Sequence, residues 1–236
     1  MGKFDGIAYE FNPDVFYGGY LLRRKLLLGI DKYAFHMKGK MMDFGCGSKP
    51  YKSLFNVEEY VGVDFHGEGH SHENENIDVF YDGVQLPFPD NHFDAVFSSE
   101  VFEHVFNLED MIPEIKRVMK PGAKILVTCP FAIAEHEQPN DFARYSSFGI
   151  KHLFEKNNFK VVTYEKIGNY FDTLVHLRIS FIELVILPKL NKLIIFRPIF
   201  RFLVYPIYNL AALIFAKLFS RKQALYMNNL IVCEKL

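Results

Sequence analysis

The sequence contains no tryptophan and only three cysteines among its 236 residues. Cys46, Cys129 and Cys233 stand far apart with no Cys-x-x-Cys pair, which speaks against a zinc ribbon and against a disulfide scaffold. Neither charge sign is in excess: 27 Lys and Arg face 28 Asp and Glu, for a formal net charge of -1. No global basic field argues for nucleic acid as a partner. Residues 1–5 lack a basic stretch leading into an apolar run, so no signal peptide is expected. Position 6 is Gly where a myristoylation motif after Gly2 needs Ser or Thr. A reducing, cytoplasmic location is therefore the expectation. Long apolar runs are missing too: the longest charge-free stretch of the apolar C-terminal half, 202–216, is shorter than the roughly twenty residues of a spanning helix.

What is present is a large apolar complement, 50% of the chain, enough for one α/β domain with an elaboration. Apolar spacing predicts a helix over 20–35 within an N-terminal helical region, 1–38. Short apolar runs predict strands at 40–44, 60–64, 77–81, 93–98 and 124–129. Helical stretches are expected at 49–55, 101–106 and 108–119, the last stopped by Pro121-Gly122. A further helix over 146–157 and strands over 160–166 and 229–234 complete the pattern. Strands alternating with helices predict a Rossmann-like, mostly parallel α/β sheet with helices on both faces. The expected organisation is one domain over 1–236: a cofactor-binding core at 39–170, an apolar basic helical insertion at 171–226 and a last strand at 227–236.

Three acids fall at successive predicted strand ends. Asp43 opens the turn Asp43-x-Gly45-x-Gly47, where missing Cβ atoms let the backbone turn sharply against a ligand. Asp64 ends the second strand, where a carboxylate can accept both hydroxyls of a ribose, and Asp82 ends the third. Each alone reads equally well as a solvated turn residue; together they point to one crevice at the sheet edge. NAD is the competing ligand, but Gly45-x-Gly47-x-x-Pro50 lacks the third Gly of a dinucleotide turn.

The blocks Met42–Gly47, Val61–Asp64, Asp82–Asp94, Glu100–Val105 and Arg117–Ala123 resemble the class I S-adenosylmethionine-dependent methyltransferases of the type 11 group. The resemblance runs from about residue 41 to 162 and resumes near 229. It implies S-adenosyl-L-methionine as cofactor and a seven-stranded sheet with an antiparallel last strand. It also implies site residues by position. Asp43, Gly45, Cys46 and Gly47 would cradle the methionine moiety, and Asp64 and Phe65 the ribose and adenine. Asp82 and Gly83 would meet the adenine edge, while Ser99 and Glu100 would line the methyl-donor end.

The loop after the fifth predicted strand, 135–146, gathers His136, Glu137, Asp141, Arg144 and Tyr145. It is similar to a loop of type 11 enzymes associated with glycan assembly, with Phe142 where that pattern has Tyr. His136 is the first candidate for a general base and His104 the second, since imidazole titrates near neutral pH. The competing reading of His104 is a residue hydrogen-bonded inside the Glu103-His104 motif. Tyr145 and Arg144 complete the acceptor-side candidates, though Arg144 can equally pair with Glu137 or Asp141 and hold the loop. The run 66–73 holds three His but no strong ligand spacing, and no metal is expected.

The insertion is one-sided in charge: residues 178–222 carry eight Lys/Arg against the single acid Glu183. That composition suits helices on an anionic membrane surface, with basic groups over 179–222 reaching phosphates, so a peripheral location at the inner membrane face is the expectation. A cap over the site or a homodimer face is the alternative. Taken together, the residues predict methyl transfer to an oxygen of a sugar or lipid-linked glycan. A small lipid or quinone-like acceptor is the alternative, and so is a non-catalytic membrane-docked partner protein that binds the cofactor.

Overall fold

A computed structural model describes residues 4–66, 76–190, 196–219 and 223–236. Seven strands form one sheet in the order β3-β2-β1-β4-β5-β7-β6. They are β1 (Lys40–Phe44), β2 (Glu59–Phe65), β3 (Val79–Tyr81), β4 (Phe93–Ser99), β5 (Met119–Pro130), β6 (Phe159–Ile167) and β7 (Asn228–Lys235). The β1–β2, β2–β3, β1–β4 and β4–β5 pairings are parallel. The sheet is mostly parallel with an antiparallel last-strand pairing, as the sequence predicts. The helices are α1 (Tyr20–Tyr33), α2 (Leu108–Val118), α3 (Ser147–Glu155), α4 (Tyr170–Phe181), α5 (Leu187–Lys189), α6 (Phe196–Ile199) and α7 (Tyr205–Phe219).

The chain divides into two compact units. One holds Gly29–Phe131, Glu135–Glu165 and Asn229–Leu236. Its core is made of strand residues such as Met42, Phe44, Val63, Val96, Ile125, Val127 and Ile231. Against these lie Met111, Ile112, Ile115 and Val118 of α2, one buried stripe at helical spacing. Ser146 caps α3 by accepting from Gly149 N, which fixes the start of that helix.

The other unit holds Met1–Leu28, Ala132–Ala134 and Lys166–Asn228. Leu21, Val175, Ile179, Ile182, Tyr205, Ala212 and Met227 form its core. Asn169 and Asp172 close a capping box at the start of α4. Segments Ile182–Ile186 and Phe200–Val204 are π-helical. Each surrounds the residue four before a proline, Pro188 or Pro206, whose missing N–H removes the ordinary bond to that carbonyl. Among the described residues no helix is long and apolar enough to cross a membrane.

Two helices expected from the sequence are shorter than predicted. The stretch 49–55 holds only a 3-10 turn, Lys52–Leu54, because Lys49 sits at φ 56 and is followed by Pro50. The stretch 101–106 likewise holds only the 3-10 turn Phe102–His104. β5 starts at Met119, before Pro121-Gly122, with a register shift against β4 between Phe93 and Ala95.

Arg117 of α2 ties the Leu86–Asp90 segment to the sheet unit. Its guanidinium donates to the carbonyls of Leu86 (3.0 Å) and Phe88 (2.9 Å) and to the carboxylates of Asp90 (2.7 Å) and Glu114 (2.7 and 2.8 Å). Glu114 also accepts from Leu86 N. The planar fork makes these contacts at once, which a lysine cannot do. Arg117→Ala is expected to lower unfolding stability by about 2–4 kcal/mol, with Arg117→Lys recovering only part of it. Urea unfolding measures this; unchanged midpoints in both variants would show that the fork holds nothing.

Candidate functional site

The strand order places the carboxyl ends of β3, β2, β1 and β4 side by side. Asp82 follows β3, Asp64 lies near the end of β2, Gly45 follows β1, and Ser99 and Glu100 close β4. The order of strands reverses at β1, the switch point where open α/β sheets bind ligands. The acids and glycines singled out from the sequence thus form one row along one edge.

Backbone bonds hold the turn after β1 on β2. Gly45 N and Cys46 N both donate to Val63 O, at 2.8 and 3.1 Å. Gly47 N donates to Asp64 Oδ2 at 2.8 Å, so the turn and the β2 acid are fixed to each other. Gly45 has φ 73, and a Cβ there would lie 2.3 Å from Val101 Cγ2. Cys46 is buried, its Sγ against Gly62, and burial pushes its thiol well up. It packs the turn rather than offering a nucleophile.

Asp43 is buried, and its carboxylate accepts from the Tyr60 hydroxyl of β2. Burial raises its pKa to about 7, against the opposing Tyr60 bond, with Asp64 raising it further and Lys49 lowering it. Lys49 and Asp78 stand behind this group. Lys49 Nζ donates to Asp78 Oδ2 at 2.7 Å, and the same oxygen accepts from Gly62 N at 2.6 Å. Tyr60, Lys49 and Asp78 were not singled out from the sequence. No spacing along the chain could have pointed to them, because their contacts join segments far apart in sequence.

Asp82 is exposed, and its Oδ1 accepts from Val84 N and Gln85 N, both at 2.9 Å. These bonds hold its carboxyl below the usual range and fix the turn that carries Gly83. Gly83 has φ 83, and a Cβ there would come within 2.8 Å of the Phe65 ring. The Phe65 ring therefore packs directly on the Gly83 backbone, a close approach that only a residue without a Cβ allows. A cavity of about 350 Å³ opens beside them, lined by His66, Phe80, Tyr81, Asp82, Gln85 and Pro87.

At the far end of the row, Glu100 adopts φ 57, a conformation costly for a residue with a Cβ. It is held there by Glu100 N donating to Thr128 O and by Thr128 Oγ1 donating to Glu100 Oε1 at 2.9 Å. Ser99 Oγ shares a 2.8 Å bond with Thr128 Oγ1. The 3-10 turn that follows carries Glu103 and His104.

The loop 135–146 closes on that turn. Phe142 N donates to Glu103 O, and His104 Nδ1 lies 2.6 Å from Asn140 O. The His104 and His136 rings meet edge to face at 4.8 Å. Arg144 grips Asp141, with Nη2 to Oδ2 at 2.6 Å, and holds that carboxyl down at about 2. His136 N also donates to Asp141, at 2.9 Å. Of the two partners the sequence allowed for Arg144, the structure shows a close ion pair with Asp141. Tyr145 instead packs its ring against the sheet core, and its carbonyl accepts from Asn229.

Glu103 is fully buried, and its carboxyl is pushed well above the usual range, chiefly by desolvation and then by the nearby Glu100. The sequence left it inside a motif without a role. The His of the 66–73 run beyond His66 lie outside the described residues, and so do Arg221 and Lys222.

A family model described as a methyltransferase domain matches residues 42–127. The sterol 24-C-methyltransferase of Gibberella zeae is 35% identical over 98 residues, covering 35% of this chain and 25% of that protein. The ubiquinone/menaquinone biosynthesis C-methyltransferase of Pseudomonas fluorescens is 48% identical over 46 residues, covering 20% of this chain and 18% of that one. The chain spans 25–44% of the length of the first curated relatives it matches. Among solved structures, phosphoethanolamine N-methyltransferase 2 of Haemonchus contortus with S-adenosyl-L-methionine superposes with a TM-score of 0.53 and 19% identity. That match covers 100% of this chain and 60% of the other, and it speaks to the fold. The row of strand-end groups, with Gly45, Gly47 and Gly83 all at positive φ, fits the cofactor of that family. Residues 42–127 carry a class I S-adenosylmethionine-dependent methyltransferase domain, with S-adenosyl-L-methionine as its cofactor.

Proposed function

We propose that this protein methylates a small lipid or quinone-like acceptor. The observation that carries the reading is a pair of exposed aromatic rings close in sequence to the two histidines. Phe106 is 83% exposed and Phe142 45%, and their rings meet at 5.2 Å. They sit on the two segments that bear His104 and His136. Water-facing aromatic rings at that place suit a flat or greasy acceptor better than a sugar. The names of the sterol and quinone methyltransferases among the relatives agree with such chemistry, although their similarity covers between 20% and 48% of this chain. The glycan reading rests on the resemblance of the 135–146 loop, and none of the relatives described above is named for it.

When bound, S-adenosylmethionine supplies an electrophilic methyl group on a positively charged sulfur. The chain's own groups would divide the remaining work. Asp64 is assigned to the ribose hydroxyls and Phe65, Asp82 and Gly83 to the adenine. The Gly45–Gly47 turn, backed by Cys46 and the buried Asp43, takes the methionine end. Ser99 and Glu100 lie at the methyl-donor end. His136 and His104 stand on the acceptor side, where an imidazole can take a proton from the attacking group. Arg144 positions His136 through Asp141.

The second unit supports a membrane-surface setting for such an acceptor. Along α4, α7 and the segments between them, Phe181, Leu184, Phe202, Ile207, Ile214 and Leu218 are each more than half exposed. Exposed Arg178 and Arg201 lie among them.

A labelled-methyl assay on lipid extracts and on glycan intermediates, run side by side, tests the acceptor. Label is expected in the lipid pool. Phe106→Ser with Phe142→Ser should lower kcat/KM on it by about tenfold or more while leaving cofactor affinity unchanged. Label in the glycan pool alone, or full activity of the double variant, would reject the reading; no product in either pool would favour a cofactor-binding partner protein. Flotation with phosphatidylglycerol vesicles tests the surface. The protein should float, and Ile207→Asp, Ile214→Asp and Leu218→Asp together should abolish it; flotation unaffected by these changes, or absent from the start, would reject the membrane surface.

A further inference from the structure

We propose that Glu103, His104 and His136 form a binding site for one divalent first-row transition-metal ion, with zinc as the ion of first choice. The inference rests on this cluster and is independent of the acceptor reading. Glu103 Oε1 lies 3.8 Å from His104 Nε2 and 3.8 Å from His136 Nε2. One ligand atom from each of the three residues falls within 4.8 Å of the others. In a four-coordinate zinc site with bonds of about 2.0–2.1 Å, ligand atoms stand roughly 3.4 Å apart. The three atoms are therefore a few tenths of an ångström to about 1.4 Å wider than a filled site, a closure that side-chain rotation supplies. Two imidazoles and one carboxylate are a ligand set that holds zinc and leaves a position open.

Two further observations point the same way. Among the described residues, no other residue hydrogen-bonds either oxygen of the fully buried Glu103 or the buried Nε2 of His104. Buried polar atoms left unmatched are costly, and a cation between them would satisfy all three. Both histidines are also oriented from behind. His104 Nδ1 lies 2.6 Å from the Asn140 carbonyl, so Nδ1 carries the proton and the Nε2 lone pair faces Glu103. His136 Nδ1 lies 3.4 Å from Asp141 Oδ2, which is itself fixed by Arg144. A carboxylate or carbonyl behind each imidazole is the outer-shell arrangement that accompanies metal-bound histidine. Arg144 Nη2 also approaches His136 Nδ1, at 3.5 Å. Glu137 Oε2, 3.7 Å from His104 Nε2 on an exposed side chain, is placed to supply a fourth oxygen.

An ion held here would stand next to the segment that carries Ser99 and Glu100. It would take the Nε2 lone pairs of both histidines, and would then bind and acidify an acceptor hydroxyl in their stead.

The test uses the full chain, stripped with chelator and dialysed. Calorimetric titration with zinc chloride, and the visible absorption bands of added cobalt(II), report the site without any need for turnover. One equivalent per chain is expected, with a dissociation constant of micromolar or tighter and a raised Tm on zinc addition. His136→Ala and His104→Ala should each weaken binding by at least a hundredfold and remove the cobalt bands. Glu103→Gln, which keeps the buried shape, should weaken it at least tenfold while keeping the apo-protein Tm. No binding at a hundred micromolar zinc would overturn the proposal. So would binding that persists in His136→Ala and His104→Ala, or that disappears only on His70→Ala with His72→Ala.

Discussion

β1 pairs in parallel with β2 on one side and with β4 on the other, and this placement decides where every group of the site can be. Parallel strands bring their carboxyl ends to the same edge. Because β1 sits between β2 and β4, the turn after it is flanked by the ends of both. Gly47 can then donate to Asp64 across one gap, and Gly45 can lie against Val101 across the other. Asp82, Asp64, the glycine turn and Glu100 follow in spatial order because their strands do. A one-residue slip of β1 against β2 would move Asp43 to the opposite face of the sheet and undo the arrangement.

The row carries strain at the points where ligand would meet it. Glu100 holds a left-handed backbone against Thr128, and Asp43 is buried with its carboxyl raised to about 7. Folding rarely retains such features without a return, and a cationic cofactor gives one. A positive charge near Asp43 favours its ionised form, which burial alone disfavours. The buried Glu103 presents the same problem at the acceptor end, where a metal ion would answer it.

Much of this was legible in the residues. The strands are short apolar runs, and β1 agrees with its sequence pattern to the residue because Asp43-Phe44-Gly45 ends it sharply. The row of acids could be read because strand-end position follows directly from the apolar runs. What could not be read depends on contacts between distant segments. Lys49 holds a positive φ where the sequence predicts a helix after β1, and its side chain pairs with Asp78, nearly thirty positions on. Tyr60 looks like any strand aromatic until its hydroxyl meets Asp43. Glu103 and His136 lie on separate segments brought together only by the folding of a loop, so the sequence offers His136 as a site residue but not its pairing with Glu103. Tyr145 has the composition of a site residue, yet its ring belongs to the core.

The strand-end row is the proposed seat of S-adenosyl-L-methionine, with Asp64 proposed at its centre. Calorimetry with that cofactor on the unaltered protein and on Asp64→Ala tests this most directly. The unaltered chain should bind one equivalent, and the variant should bind it about tenfold to a hundredfold more weakly, as befits a lost charge-assisted hydrogen bond of about 1.5–3 kcal/mol. Equal affinity in the two proteins, or no binding by the unaltered one, would contradict it.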